Sequence, residues 1–318
     1  MDTVKKIQEN TLVAVMSCNR GIYLDNCISS INRNMGIGHI RIYDDDSNDL
    51  DTLARLKKLN EQYPVHINKK KTKNTFGGLY FNMNSALHYA IRGGFDYIFF
   101  IQDDMQIVRK CDTNFLNECV RIFEHDLNIG MIGTMFFKNN SENESLIPMQ
   151  INRKGGCYIK DEFGIGVAGF SKVQTLVEKD WKWDTETAGA NNGKQAAQKG
   201  LHYVTVENPI MMYLPWPKTF RNHPSWGENF LATIADKIYQ ADFYPYRDMT
   251  VNEADELINR TITDFPIAEK YLEVANRSPR NSWQYKDSLT VLKYDVVSLL
   301  KKLKLYSFYR VIKLWITK

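Results

Sequence analysis

The segment DYIFFIQDD (96–104) constrains the fold of this chain more than any other stretch. Its apolar residues run without alternation, which requires a strand covered on both faces, as in a sheet with helices on either side. The strand ends on two adjacent carboxylates, Asp103 and Asp104. Two such groups at the end of a buried strand are costly without a cation nearby.

The same logic extends along the first half. TLVAVMS (11–17) is a second apolar run, followed by Leu24, Cys27, Ile28 and Ile31 at helical spacing. HIRIYDDD (39–46) and VHINKK read as strands, with a helix opened by acidic residues between them. Leu79, Met83, Ala86, Leu87, Ala90 and Ile91 form a helical face, as do Phe115, Leu116, Cys119, Val120 and Phe123; IGMIGTMFF (129–137) closes the series as a strand. Alternating elements of this kind predict an α/β domain with a mainly parallel sheet flanked by helices. The stretch 138–155 turns polar, and 155–235 is rich in glycine and aromatics with only short periodic pieces. The segment NPIMMYLPWPKTFRNHPSWGENF holds four of the nine prolines and reads as a long structured loop. Residues 236–275 and 285–318 read as helical. The expected division is 8–235, in halves 8–135 and 136–235, with a helical C-terminal region at 236–318.

Composition narrows the class. With 318 residues, 43% hydrophobic and 25% charged, the chain is an ordinary globular one, not a disordered or fibrous one. No apolar run reaches the ~20 residues of a membrane span, and MDTVKKIQEN lacks the apolar core of a signal peptide. Five cysteines without C-x-x-C spacing fit free thiols in a reducing cytoplasm. The net charge of +4 conceals a basic end: residues 289–318 carry seven Lys/Arg against Asp295, a net +6, which leaves −2 elsewhere. That pattern points to an anionic surface and not to nucleic acid.

In open α/β sheets, ligands collect beyond the carboxyl ends of the strands. The residues there are Ser17-Cys18-Asn19-Arg20, the run Asp44 to Asp49, and Gln102-Asp103-Asp104. No P-loop is present and no G-x-G-x-x-G follows the first strand, so both dinucleotide and P-loop readings lose their support. Acidic clusters at strand ends suit a nucleotide–metal complex: one carboxylate accepts from base or ribose, another holds a divalent ion that neutralises a pyrophosphate. Asp46, Asp49 and Asp51 serve equally as turn and helix-cap residues.

The order of these strings resembles the family 2 inverting glycosyltransferases of the GT-A fold. Met16 to Asn19, Asp44 to Asp49, Gly78 to Asn84 and Ile101 to Asp104 stand where that family has P-T-Y-N, V-D-D-G-S-T-D, G…A-R-N and D-x-D. The likeness covers about residues 10–135. The string here is Gln-Asp-Asp, similar to the Glu-Asp-Asp variant of the N-acetylglucosaminyltransferase I type. What the resemblance implies is a nucleotide-sugar site, UDP-sugar first, at Ser17, Asn19, Arg20, Asp44, Gly78, Asn84 and Asp103. Asp104 would bind Mn²⁺ or Mg²⁺.

A single displacement at the anomeric carbon also needs an acceptor half with a carboxylate base. Asp184 and Glu186 in DWKWDTETAG are the candidates, ahead of a helix expected at Lys194–Lys199; the alternative role for both is capping that helix. Trp181 and Trp183 beside them either stack on sugar faces or fill the core. Arg221 and His223, in the proline-rich loop, are candidates to close over the diphosphate and complete the metal shell. The acceptor class is a glycan or lipid-linked glycan, as in polysaccharide biosynthesis. LTVLKYDVVSLLKKLKLYSFYRVIKLWITK would hold the enzyme peripherally on the cytoplasmic membrane face, or pack on protein. The rival readings are a sugar-nucleotide nucleotidyltransferase and a non-catalytic, membrane-docked protein on a transferase-like fold.

Overall fold

The structure, a computed structural model, describes residues 7–69, 77–137, 146–151, 156–160, 164–186, 190–214, 217, 226–275 and 288–305. Contacts divide the chain into two compact units, Met1–Tyr213 with Pro245–Val274, and Leu214–Tyr244 with Ala275–Lys318. The boundary expected at 235 falls inside a helix of the second unit.

The first unit is a mixed α/β domain. Its strands are β1 (Thr11–Ser17), β2 (His39–Asp44), β3 (Val65–Ile67), β4 (Tyr97–Gln102), β5 (Met105–Ile107), β6 (Ile129–Gly133), β7 (Leu146–Gln150), β8 (Gly156–Lys160), β9 (Gly169–Lys172), β10 (His202–Val206) and β11 (Met211–Tyr213). Its helices are α1 (Gly21–Asn34), α2 (Leu50–Leu59), α3 (Gly77–Gly93), α4 (Thr113–His125), α5 (Val173–Glu178) and α6 (Ala190–Lys199), with α8 (Val251–Asn259) and α9 (Ala268–Tyr271) later in the chain. Nine strands form one sheet in the order β3-β2-β1-β4-β9-β6-β10-β8-β7, and β11 pairs with β5 in a second, two-stranded sheet. Only β8 and β9 run against the other strands of the large sheet.

Alternation on the strands fills two cores. Val13, Val15, Phe99 and Ile101 face one side, where α1, α2 and α4 supply Leu24, Ile28, Leu56 and Phe115. Leu12, Ala14, Met16, Ile98 and Phe100 face the other, against Met83 and Ala86 of α3, Leu176 of α5 and Ala196 of α6. Both faces of β1 and β4 are therefore covered, as their unbroken apolar runs require. Trp183 is 1% exposed and meets Phe100 and Trp181 edge-on. Of the two roles open to Trp181 and Trp183, both side chains take the core one.

The strand order reverses between β1 and β4: the chain steps outward through β2 and β3 and returns to the opposite side of β1. That crevice is the topological switch point of the sheet, the place where open α/β sheets bind ligands.

The second unit contains α7 (Trp226–Tyr239) and α10 (Ser288–Lys302). They pack through Ala232, Ala235, Tyr239 and Leu289, and the Tyr239 hydroxyl donates to Asp295. Among the described residues, no helix is long and apolar enough to cross a membrane.

Candidate functional site

Two strand-end loops are fastened to each other beside the switch point. Asp44, buried at the end of β2, accepts from the Ser47 backbone N–H at 2.8 Å and from its hydroxyl at 2.7 Å. Ser47 Oγ in turn accepts from the Asn19 N–H at 2.8 Å. Asn19 has φ of 51°, a left-handed conformation that Asn tolerates better than most residues. Its Oδ1 accepts from the N–H groups of Asn48 and Asp49, at 2.8 and 3.1 Å. Asp49 then caps α2, accepting from the Thr52 N–H at 2.8 Å. Ser17 stands opposite Asp44 in the parallel register of β1 and β2. Burial raises the Asp44 carboxyl above its ordinary value, against the two bonds from Ser47.

The Asp-Asp pair sits directly across the crevice. Asp103 is fully buried; its Oδ2 accepts from the Cys18 N–H at 2.9 Å, and its Oδ1 lies 2.5 Å from Arg20 Nη2. Arg20 Nη1 donates to Asp104 Oδ2 at 2.6 Å, so one guanidinium bridges both carboxylates. Asp104 is 4% exposed and its Oδ1 has no hydrogen-bond partner. Burial pushes the Asp103 carboxyl up, to about 7, while Arg20 pulls it down and Asp104 pushes it further up. The two carboxylates hold Arg20 firmly protonated. Burial and Asp103 push the Cys18 thiol up to about 12, which keeps it a poor nucleophile at neutral pH.

This arrangement fits a divalent cation. Two carboxylates against one guanidinium leave a formal charge of −1, and the unpartnered Asp104 Oδ1 is a hard oxygen donor of the kind Mg²⁺ and Mn²⁺ take. Among the described residues no three His, Cys, Asp or Glu side chains converge as a metal cage. Such an ion would need further oxygens from ligand and water, which is how Mg²⁺ usually binds beside phosphates.

The remaining candidates fall in two places. Gly78, at the start of α3, packs on Asp45: a Cβ there would come within 1.9 Å of the Asp45 carboxylate. Asn84 reaches away from the strand-end loops and clamps the Trp183 backbone, with Nδ2 donating to its carbonyl at 2.8 Å and Oδ1 accepting its N–H at 2.9 Å. Asp184 follows directly. Its N–H donates to Asn192 Oδ1, and its carboxylate accepts from Asn191 Nδ2 at 2.9 Å and the Glu186 N–H at 2.8 Å. Asp184 thus orders the approach to α6, which starts at Ala190, four residues before the expected Lys194. Glu186 is exposed. Arg221 and His223 lie outside the described residues.

Sequence reasoning missed the bridging role of Arg20, which depends on a partner 84 residues away. It also missed β5, three residues directly after the Asp-Asp pair that pair with β11 and bring Tyr213 toward the site. The Gln102 amide donates to the Tyr213 hydroxyl at 3.4 Å. A separate cleft of about 730 Å³, lined by Arg109, Asp112, Asn114, Glu118 and Asn208 on the α4 side, contains none of these strand-end carboxylates.

No protein-family model and no curated protein matches the chain. Solved structures similar to it at low identity include the following. S. aureus TarS shares 15% identity over 78% of this chain and 42% of that one, with a TM-score of 0.44. Its 1–349 form gives 14%, 78%, 69% and 0.41 in the same terms. The mannosyltransferase PcManGT from Pyrobaculum calidifontis, in complex with GDP-Man and Mn²⁺, gives 10%, 72%, 62% and 0.42. The chain spans less than half of the full TarS chain.

Proposed function

We propose that this chain is a nucleotide-sugar-dependent glycosyltransferase of the GT-A type, similar to family 2, that transfers its sugar with inversion to a glycan or lipid-linked acceptor. One observation carries the reading. A buried Asp-Asp pair closes β4 at the switch point of the sheet, partly neutralised by Arg20, with one carboxylate oxygen unsatisfied. A nucleoside diphosphate with a divalent ion matches that charge and that oxygen.

In this reading Asp44, Ser17 and Asn19 line the nucleoside end, Asp103 faces the ribose, and Asp104 holds Mn²⁺ or Mg²⁺. When bound, the ion supplies positive charge to the departing diphosphate. Arg20 bridges both carboxylates and holds them aimed, so the pocket is organised before the donor arrives. The acceptor hydroxyl oxygen forms the new bond to the anomeric carbon as the carbon–oxygen bond to the diphosphate breaks. The hydroxyl proton passes to a carboxylate of the Asp184–Glu186 segment. Asp184 accepts two hydrogen bonds that hold its carboxylate in place, and exposed Glu186 is open to a ligand. Arg221 and His223 are proposed to close on the diphosphate side.

A panel of nucleotide-sugars screened for release of nucleoside diphosphate tests this function. Turnover of at least one donor with a glycan acceptor is expected. Formation of pyrophosphate from a sugar 1-phosphate and a nucleoside triphosphate would favour the nucleotidyltransferase instead. The base has its own test: Asp184→Asn or Glu186→Gln should lower turnover by about 10²–10⁴-fold and leave donor affinity unchanged. Wild-type turnover in both variants would remove the base from this segment.

A further inference from the structure

One flank of α3 forms a cleft of about 390 Å³ with β2, β3 and the 182–185 segment. Its charge is one-sided. Arg41, Arg92 and Lys182 line it, together with His66 and His88, and no carboxylate does. Among the described residues, none of the three cations makes an ion pair or accepts compensation from a carboxylate. Arg41 rests over the Tyr89 ring, 4.3 Å from its centroid, and its Nε is buried without a hydrogen-bond partner. A guanidinium held by an aromatic face alone keeps its planar fork of donors open.

A second, independent feature lies in the same cleft. Tyr43, 1% exposed, contributes a buried hydroxyl that has no hydrogen-bond partner. Buried hydroxyls of this kind are rarely left unpaired, because the desolvated group loses its water without compensation. His66 packs edge-on against Tyr43, and burial and then Arg41 lower its pKa, so it adds a polar group to the cleft.

We infer that this cleft is an oxyanion site, distinct from the strand-end carboxylates, that takes a phosphate or phosphate-ester group. Arg41 would bind two of its oxygens bidentately, with the Tyr43 hydroxyl donating to one of them and Arg92 and Lys182 supplying charge from the rim. Three formal positive charges exceed what a single carboxylate would balance and suit a doubly charged phosphate. The inference does not depend on sugar transfer, because none of its cations belongs to the proposed donor site.

Calorimetric titration of inorganic phosphate and of a hexose 6-phosphate into the full chain tests it, at low salt and in the presence of UDP and Mn²⁺ to fill any diphosphate site. Binding at millimolar concentration or tighter is expected, weakened about tenfold or more by Arg41→Gln and less by Arg92→Gln or Lys182→Gln. Affinity for phosphate alone would assign the site to the free ion, and affinity for both probes to a phosphorylated saccharide. Arg92 and Lys182 are exposed, so their variants keep the test sound if Arg41→Gln fails to fold. No binding of either probe, or equal binding by wild type, Arg41→Gln and Lys182→Gln, would overturn the assignment.

Discussion

Glu118 shows how a single buried carboxyl sets a pH dependence. It is 5% exposed on α4, and burial, reinforced by Glu207, pushes it from 4.5 up to about 7. Its protonated form is the one the folded state prefers. The folded chain therefore binds more protons than the unfolded one between those values, and stability falls as pH rises from 4.5 through about 7. Glu118→Gln mimics the protonated form, so it should raise stability near pH 8 by on the order of 1–3 kcal/mol and change little near pH 4.5. Thermal melts of both proteins across this range check it; a difference that does not vary with pH would be the contrary result. Arg20 illustrates the limit of reading residues singly. The sequence places it next to Asn19 at a strand end, and so near a ligand, but the bridge to Asp103 and Asp104 exists only once β1 and β4 lie side by side. Arg20→Met should leave two buried carboxylates uncompensated and cost about 3–5 kcal/mol, measurable by urea unfolding. Wild-type stability in that variant would mean that Arg20 is not their counterion.

Among elements, those with long or strongly periodic patterns are legible. β1 and β4 have unbroken apolar runs because both of their faces are covered, and α1 and α4 show clear stripes because one face meets the sheet. β5 and β11 are three residues each and gain their stability from pairing across about a hundred residues of chain, so neither carries a local signal. β9 is four residues long and runs between β4 and β6 against both, a placement no pattern in GFSK could reveal. Between α3 and the 181–186 segment, Asn84 is the tie. Its amide satisfies both backbone groups of Trp183, and a polar side chain two turns into a helix gives no hint of that from spacing. Asn84→Ala should destabilise the chain by about 1–3 kcal/mol, since two backbone groups lose their partner. An unchanged denaturation midpoint would show that the clamp contributes nothing.

At the scale of the whole molecule, the second unit presents an apolar and basic face. Val296, Leu299 and Leu303 of the α10 region are exposed, with Lys301, Lys302 and Lys304 beside them. The start of α10, through Leu289, packs on α7, so part of the helix has a protein role. Residues 306–318, which carry Tyr306, Tyr309 and Trp315, lie outside the described residues. We propose that the exposed face docks on an anionic membrane, because its charge complements such a surface at about 1 kcal/mol per basic residue. Flotation should show the full chain bound to anionic vesicles and free of neutral ones, with binding lost on truncation after Ser288. Equal behaviour of the two chains would assign α10 to packing alone.

The central claim is that Asp103 and Asp104 form a metal-assisted nucleoside diphosphate site. Calorimetric titration of UDP and of GDP into the full chain, with and without Mn²⁺, tests it most directly. Binding of at least one nucleotide is expected, stronger with Mn²⁺, and Asp104→Asn should abolish the Mn²⁺ effect while the protein stays folded. No binding under any condition, or an Mn²⁺ effect that survives Asp104→Asn, would contradict it.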